Sequence, residues 1–303
     1  MNVSVFISLV SLCFLFSNAA QALTVSTFRG EVSFPQTPQT VVAFPAGVID
    51  TLDALGVLVQ GVPENLFLDY VDTQKAQTVG TLFTADIEKI HKMSPDLVII
   101  GERSALQYEA LTDVAPVIDL SIPRGNTFQE SLKRMHSLAK LFDKEDKAKE
   151  IENRLYELRD QAKQWINPDE SVMVVMLMGR ALNVLSSQTR IDWFQEELGM
   201  NLEASDVKSL NEVAPISYEY ILSKNPDWLI VMDRDASVGR SAKDLSKEYM
   251  DTPLIHATKA WQKNQIIYLN GVGTLNSVGG VQGIKHTLEE LIKTFSVRIN
   301  GQS

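Results

Sequence analysis

The stretch from Ile87 to Arg103, IEKIHKMSPDLVIIGER, returns from Tyr218 to Arg234 as YEYILSKNPDWLIVMDR. Each copy reads E-x-I-x-x-x-x-P-D, then an apolar run, then an arginine, and Glu88 precedes Arg103 by the same interval as Glu219 precedes Arg234. Proline cannot continue a helix, so each copy is expected to be a short helix beginning near the glutamate, a turn at Pro-Asp, and a buried strand running to the arginine. Helix and strand run in opposite directions, so the start of one and the end of the other share an edge. Two such units imply an α/β fold with two lobes. Open α/β domains bind ligands outside the carboxyl ends of their strands, which would set Arg103 and Arg234 facing the gap between the lobes. One arginine after a strand is an ordinary surface charge; two at the same offset in separate halves point to a shared site for an anion.

Outward from the repeat, the rest of the chain fits two halves. At 303 residues it is long enough for about two domains. Residues 24 to 44 alternate around Gly30 and Pro35 as a hairpin leading into a buried strand. A helix over Gly47 to Gly56, a strand at VQGVP, a helix over Ser104 to Thr112 and a strand at Val117 to Leu120 complete the first lobe. From Thr127 to Trp165, Leu132, Met135, Leu138, Leu141, Ile151, Leu155, Leu158, Ala162 and Trp165 recur at threes and fours. That spacing predicts one long amphipathic helix, about 58 Å if unbroken, or two in line with a bend near Asp143 to Asp146. After Pro168 a strand at 172 to 178, a helix at 191 to 198 closed by Gly199, the second repeat, the strand QIIYLN, the glycine-rich GVGTLNSVGGVQG and a last helix form a second α/β unit. The expected divisions are a signal peptide (1–22), an N-terminal lobe (23–126), a bridging helix (127–166) and a C-terminal lobe (167–303).

A formal net charge of −10 at pH 7 argues against nucleic acid or an anionic membrane as partner, so any bound anion needs a locally basic pocket. The opening MNVSVFISLVSLCFLFSNAAQA lacks Asp, Glu, Lys and Arg and ends on Ala20-Gln21-Ala22, the pattern of a secretory signal cleaved after Ala22. That predicts an exported protein. Cys13, the only cysteine, lies within this segment, and a lipoprotein stays open although Leu12 before it is large. Cleavage would leave no thiol for catalysis or metal binding. His91, His136, His256 and His286 show no H-E-x-x-H spacing, which disfavours a zinc carrier. The glycine-rich segment fails G-x-G-x-x-G at Asn276, and neither a phosphate-binding G-x-x-x-x-G-K-[ST] nor a hydrolase G-x-S-x-G occurs. Its glycines are expected to permit a close approach of backbone to ligand or of helix to sheet.

The paired segments, together with VVAFPAGVIDTLDALGV, VGTLFTADIEKIHKMSPDLVIIGER, PISYEYILSKNPDWLIVMDR and GGVQGIKHTLEEL, resemble periplasmic binding proteins whose lobes are joined by one rigid helix. Within that class they are most similar to the ferric siderophore binders of ABC importers. The resemblance covers nearly all of the mature chain. It implies a monomeric, non-enzymatic carrier with no cofactor, whose ligand is a ferric siderophore held between the lobes. It also implies that Glu88 and Glu219 dock on basic residues of the inner-membrane permease. The catecholate branch carries an arginine triad, and Arg103, Arg190 in SSQTRIDWF and Arg234 occupy the matching positions. Three planar guanidinium forks suit the oxygens of a ferric complex of opposite charge, whether catecholate, hydroxamate or carboxylate.

The His and Tyr with which some relatives complete the iron's coordination are not matched: NEVAPISYEYI offers Glu212 instead, and GVGTL has no tyrosine. Glu212 is either a hard oxygen ligand or a solvated loop carboxylate. Phe44, Trp193 and Tyr218 are candidate cleft aromatics, and Arg180 reads as a surface charge near a strand end. Two rival readings stand: a haem carrier with Tyr108, Tyr218 or His256 as axial ligand, and an exported α/β enzyme using Glu212 or the glycine-rich loop.

Overall fold

The computed structural model describes residues 23–203, 213–240 and 245–300. The expected signal segment, Cys13 and Glu212 therefore lie outside the described residues. A hairpin, β1 (Leu23–Thr27) and β2 (Gly30–Phe34), precedes a parallel sheet of order β5-β4-β3-β6-β7. Its strands are β3 (Val41–Ala43), β4 (Gly61–Val62), β5 (Gln77–Thr78), β6 (Leu97–Ile100) and β7 (Val117–Asp119).

The second sheet has the order β11-β9-β8-β12-β13, with β10 beside the start of β8. It comprises β8 (Ser171–Met178), β9 (Ala181–Leu185), β10 (Asn201–Leu202), β11 (Val213–Ile216), β12 (Trp228–Asp233) and β13 (Ile266–Leu269). β8, β12 and β13 are parallel, whereas β9 returns antiparallel along β8 and β11 along β9. The chain is thus α/β throughout, with one parallel and one mixed sheet. Every residue of β6 and of β12 is buried, as expected of sheet strands covered on both faces.

The repeat is a repeat in three dimensions. In the first copy Asp86 caps the helix Ile87–Met93 by accepting from Lys89 N; in the second, Ser217 caps Tyr218–Lys224 by accepting from Tyr220 N. Both helices end on a left-handed residue, Ser94 at φ 48° and Asn225 at φ 46°, and the proline that follows forbids another turn. The aspartate after each proline then secures the neighbouring strand's entry. Asp96 accepts from Gln39 N at 2.9 Å and Thr40 N at 2.8 Å, and Asp227 from Ser171 N at 3.2 Å. Each letter of the shared pattern thus has a mechanical task.

The segment expected as one helix, or two in line, is instead a helical hairpin. Thr127–Phe142 closes at Asp143, whose φ of 55° puts it in the left-handed region, and Lys144 N bonds back to Ala139 O at 2.8 Å. Glu145–Lys163 then runs back along it. Tyr156 Oη donates to Gln129 Oε1 at 3.3 Å, and His136 Nε2 stands 3.4 Å from Glu152 Oε2; two helices in line could not bring these together. The spacing of apolar residues is unchanged by a reversal, so periodicity alone does not distinguish the arrangements. The main hydrophobic core runs continuously from the first sheet through both helices to the second sheet.

Candidate functional site

A cleft of about 410 Å³ is bordered by residues from both halves of the chain. The first half contributes the turns beyond three parallel strand ends: Phe44–Gly47 after β3, Gly101–Ser104 after β6, and Ile122–Arg124 after β7. Thr127 and Arg134 come from the helix that follows, and the second half adds Gln188, Thr189, Arg190, Asp192, Asn276 and Val278.

Arg103 is set by a closed turn in which Gly101 N donates to Ser104 Oγ at 3.1 Å and Ser104 N to Gly101 O at 2.9 Å. Arg190 reaches across to the glycine-rich segment, its Nη1 donating to Leu275 O at 2.8 Å. Arg234 opens a short helix whose cap is Asp233, the acceptor from Asp235 N at 2.9 Å and Ala236 N at 3.0 Å. Its Nη1 donates to Ser237 Oγ at 3.1 Å and to Asn276 Oδ1. Asn276 in turn donates to Ser237 O at 2.6 Å and Phe67 O at 3.2 Å. The residue that broke the dinucleotide pattern is therefore the one that anchors Arg234 and faces the cleft.

Arg190 and Arg234 both feel the charge of Arg103. Burial, then the charges of Arg103 and Arg234, push Arg190 down to about 10. Arg234 is lowered by burial and next by Arg103, and Arg103 by burial, partly offset by Glu102. Like charges from the two halves thus stand near one another in a weakly hydrated space, although Arg234 itself does not border the cleft and meets it through Asn276.

A fourth cation was not legible as a site residue. Arg134 stands on the buried face of Thr127–Phe142, between Ser131 and Leu138. Burial lowers it to about 10, and Glu102 and Asp50 partly oppose that. It donates to carbonyls on both sides, Leu120 at 3.3 Å, Gly279 at 2.8 Å and Val278 at 3.4 Å, while its Nε has no hydrogen-bond partner. A charged residue within the three-four spacing of an apolar stripe is the signal that would have found it. Arg124, exposed in the turn after β7, also borders the cleft, with Arg103, Arg134 and Arg190.

The aromatic expectations fare less well. Phe44 borders the cleft but is only 1% exposed and packs in the core beneath it. Trp193, expected to contact ligand, is 2% exposed and does not border the cleft. It packs edge-on against Phe194 at 4.7 Å and near Phe128 at 6.2 Å, because it points inward from the short helix whose first residue, Asp192, faces the cleft. Tyr218 donates to Tyr249 O at 2.9 Å, Tyr108 lies beneath Arg29, and His256 pairs with Asp251 and stacks near Trp261. None of these three haem-ligand candidates borders the cleft. Arg180 is exposed over the Tyr249 ring, away from it. Among the described residues no three His, Cys, Asp or Glu side chains gather as a metal site.

Glu88 and Glu219 both occupy exposed first turns of the repeat helices. Glu88 pairs with Lys92 at 2.5 Å, and the Glu219 carboxyl is held below its usual range by its own backbone N–H and by Ser217.

Comparison with known proteins gives the fold a context. Residues 41–272 match the sequence profile of a family described as periplasmic binding protein. The petrobactin-binding protein YclQ of Bacillus subtilis is 27% identical over 263 residues, spanning 85% of this chain and 82% of that protein. The ferric-anguibactin-binding protein FatB of Vibrio anguillarum is 25% identical over 278 residues, spanning 88% and 85%. The crystal structure of the periplasmic catecholate-siderophore binding protein VctP from Vibrio cholerae shares the fold, with a TM-score of 0.81 at 24% identity over 89% of this chain and 99% of that one.

Proposed function

Because this chain belongs to the periplasmic binding protein family, we propose that it captures a ferric siderophore between its lobes and delivers it to an ABC permease for iron uptake. It acts as a monomer after export to the periplasm and removal of residues 1–22, and it is a carrier, as its named relatives are binding proteins. The observation that supports this reading is the convergence of Arg103 and Arg190, from separate halves of the chain, on one cleft, with Arg234 bound to the cleft residue Asn276 just behind them. A cluster of desolvated like charges is costly in an empty cleft and favourable around an anion. With Arg124 and Arg134 against Glu102 and Asp192, the rim favours a complex of net negative charge over a neutral ferric hydroxamate. Titration of the mature protein with a hexadentate iron(III) tris-catecholate, followed by tryptophan fluorescence, is expected to saturate, with affinity falling as salt is raised. Saturation by no ferric chelate, catecholate, hydroxamate or citrate, would overturn the reading.

The permease would engage Glu88 and Glu219, one on each lobe's exposed repeat helix. Replacing both with alanine is expected to leave the ligand affinity unchanged while iron uptake by whole cells drops several-fold, in line with a loss of about 1.4 kcal/mol of docking energy per tenfold. Wild-type uptake in the double variant would remove this role.

A further inference from the structure

Beside the cleft the chain exposes a large aromatic side chain that the packing of the fold does not use. Phe83 is 61% exposed, while its neighbour Leu82 borders the cleft. The turn that carries them is rigidly built. Thr81 Oγ1 accepts from Phe83 N at 3.1 Å and Thr84 N at 3.0 Å, and Thr81 N donates to Thr84 O at 2.8 Å. Gly80 pairs with Ala85 across the turn at φ 120°, where a Cβ would lie 2.3 Å from Thr84 O. An apolar ring left mostly in water by a preorganised turn contributes little to folding, so its larger gain lies in what later covers it.

The neighbour of that ring is a cleft arginine. Arg103 Cζ stands 5.9 Å from the Phe83 ring centroid, within range of a cation–π contact. The guanidinium offers planar donors to oxygens, and the ring offers an apolar face next to them. We propose that Phe83 and Arg103 form an aryl subsite at the cleft, where the guanidinium meets the oxygen edge of one aromatic chelating arm and the Phe83 ring packs on that arm's face. A catecholate arm has both an anionic edge and an apolar face, whereas citrate and aliphatic hydroxamates have the edge alone. The subsite therefore selects aromatic chelators. This rests on the siderophore reading above, and its test separates the two.

Wild type, Phe83→Ala and Phe83→Leu are titrated with an iron(III) tris-catecholate and with ferric dicitrate, and their thermal unfolding is compared. Phe83→Ala is expected to weaken tris-catecholate binding about tenfold, the scale of one lost aromatic contact with its buried area, with Phe83→Leu falling between. Ferric dicitrate affinity and the unfolding midpoint are expected to stay as in wild type. Loss for the tris-catecholate alone supports the subsite. Equal loss for both chelates, or none for either, overturns it while leaving the siderophore reading intact. A wild-type protein that binds neither of these, and no ferric hydroxamate, overturns both.

Discussion

Replacing Arg103, Arg190 and Arg234 together with alanine is expected to weaken binding of an anionic ferric siderophore by roughly a thousandfold or more, since each charge-assisted hydrogen bond is worth about 1.5–3 kcal/mol. The same cluster has the opposite effect on the empty protein. Arg190 falls below its ordinary range to about 10, chiefly by burial and then by the charges of Arg103 and Arg234. A base whose pKa is lower in the folded state is one whose charged form folding disfavours, so at neutral pH, where the guanidinium is charged in both states, it costs stability. At about 1.4 kcal/mol per unit, that cost is on the order of 3 kcal/mol for Arg190. Its contacts, among them the bond to Leu275 O worth about 1 kcal/mol, offset part of this. Arg190→Met, which keeps the length and removes the charge, is therefore expected to raise the unfolding midpoint of the ligand-free protein while lowering ligand affinity. Ligand, by contrast, should raise the midpoint of wild type far more than that of either variant. Calorimetry with and without the tris-catecholate checks both signs. A ligand-free Arg190→Met protein that melts well below wild type would mean that this arginine is held for packing, not for an anion.

What the sequence made legible was local or repeated. Helix, turn and strand in each E-x-I-x-x-x-x-P-D copy follow from a capping residue, a proline and an apolar run, and all of these act within a few residues. Arg103 and Arg234 stand out in the sequence because duplication compares two positions within one chain. Arg190 came from resemblance alone, since a lone arginine in a loop carries no periodic signal. The reversal at Asp143 was missed because an apolar stripe says which face is buried and not what buries it. Trp193 was misplaced for a related reason. Large aromatics are as useful to a core as to a cleft, and only the burial of Phe128 and Phe194 around it decides between these. The glycine-rich segment was read as a place of close approach, but its partner could not be named. That partner is the helix Ala46–Ala54, and the contact depends on residues more than two hundred positions apart.

This contact carries the second large expectation. Asp50, 0% exposed, sits on that helix and accepts from Tyr70 Oη at 3.0 Å, Ser277 Oγ at 2.8 Å, Gln282 N at 2.8 Å and Gly283 N at 2.9 Å. The last two N–H groups belong to the first turn of the C-terminal helix Val281–Asn300, so one carboxylate from the first lobe caps a helix of the second. Burial raises its pKa, and the four donors work against that rise. There is no room at this contact for a further side chain: a Cβ on Gly47 would lie 2.1 Å from Val278 O, and one on Gly280 would lie 2.1 Å from Ser277 Oγ and 2.4 Å from Asp50 Cγ. Asp50→Ala would strand four donors in a dry site, a loss of about 3–5 kcal/mol, which at roughly 2–4 °C per kcal/mol lowers the midpoint by about 10 °C. Gly47→Ala, whose backbone is unstrained, leaves the carboxylate in place but pushes the lobes apart, with an overpacking cost of about 1–3 kcal/mol. It should also reduce ligand affinity, because Val278 and Gly279 supply the carbonyls that hold Arg134 beside the cleft. If the two lobes instead moved freely, Gly47→Ala would be accommodated by a small rotation with midpoint and affinity both unchanged, and this contact would not be a clamp between the lobes.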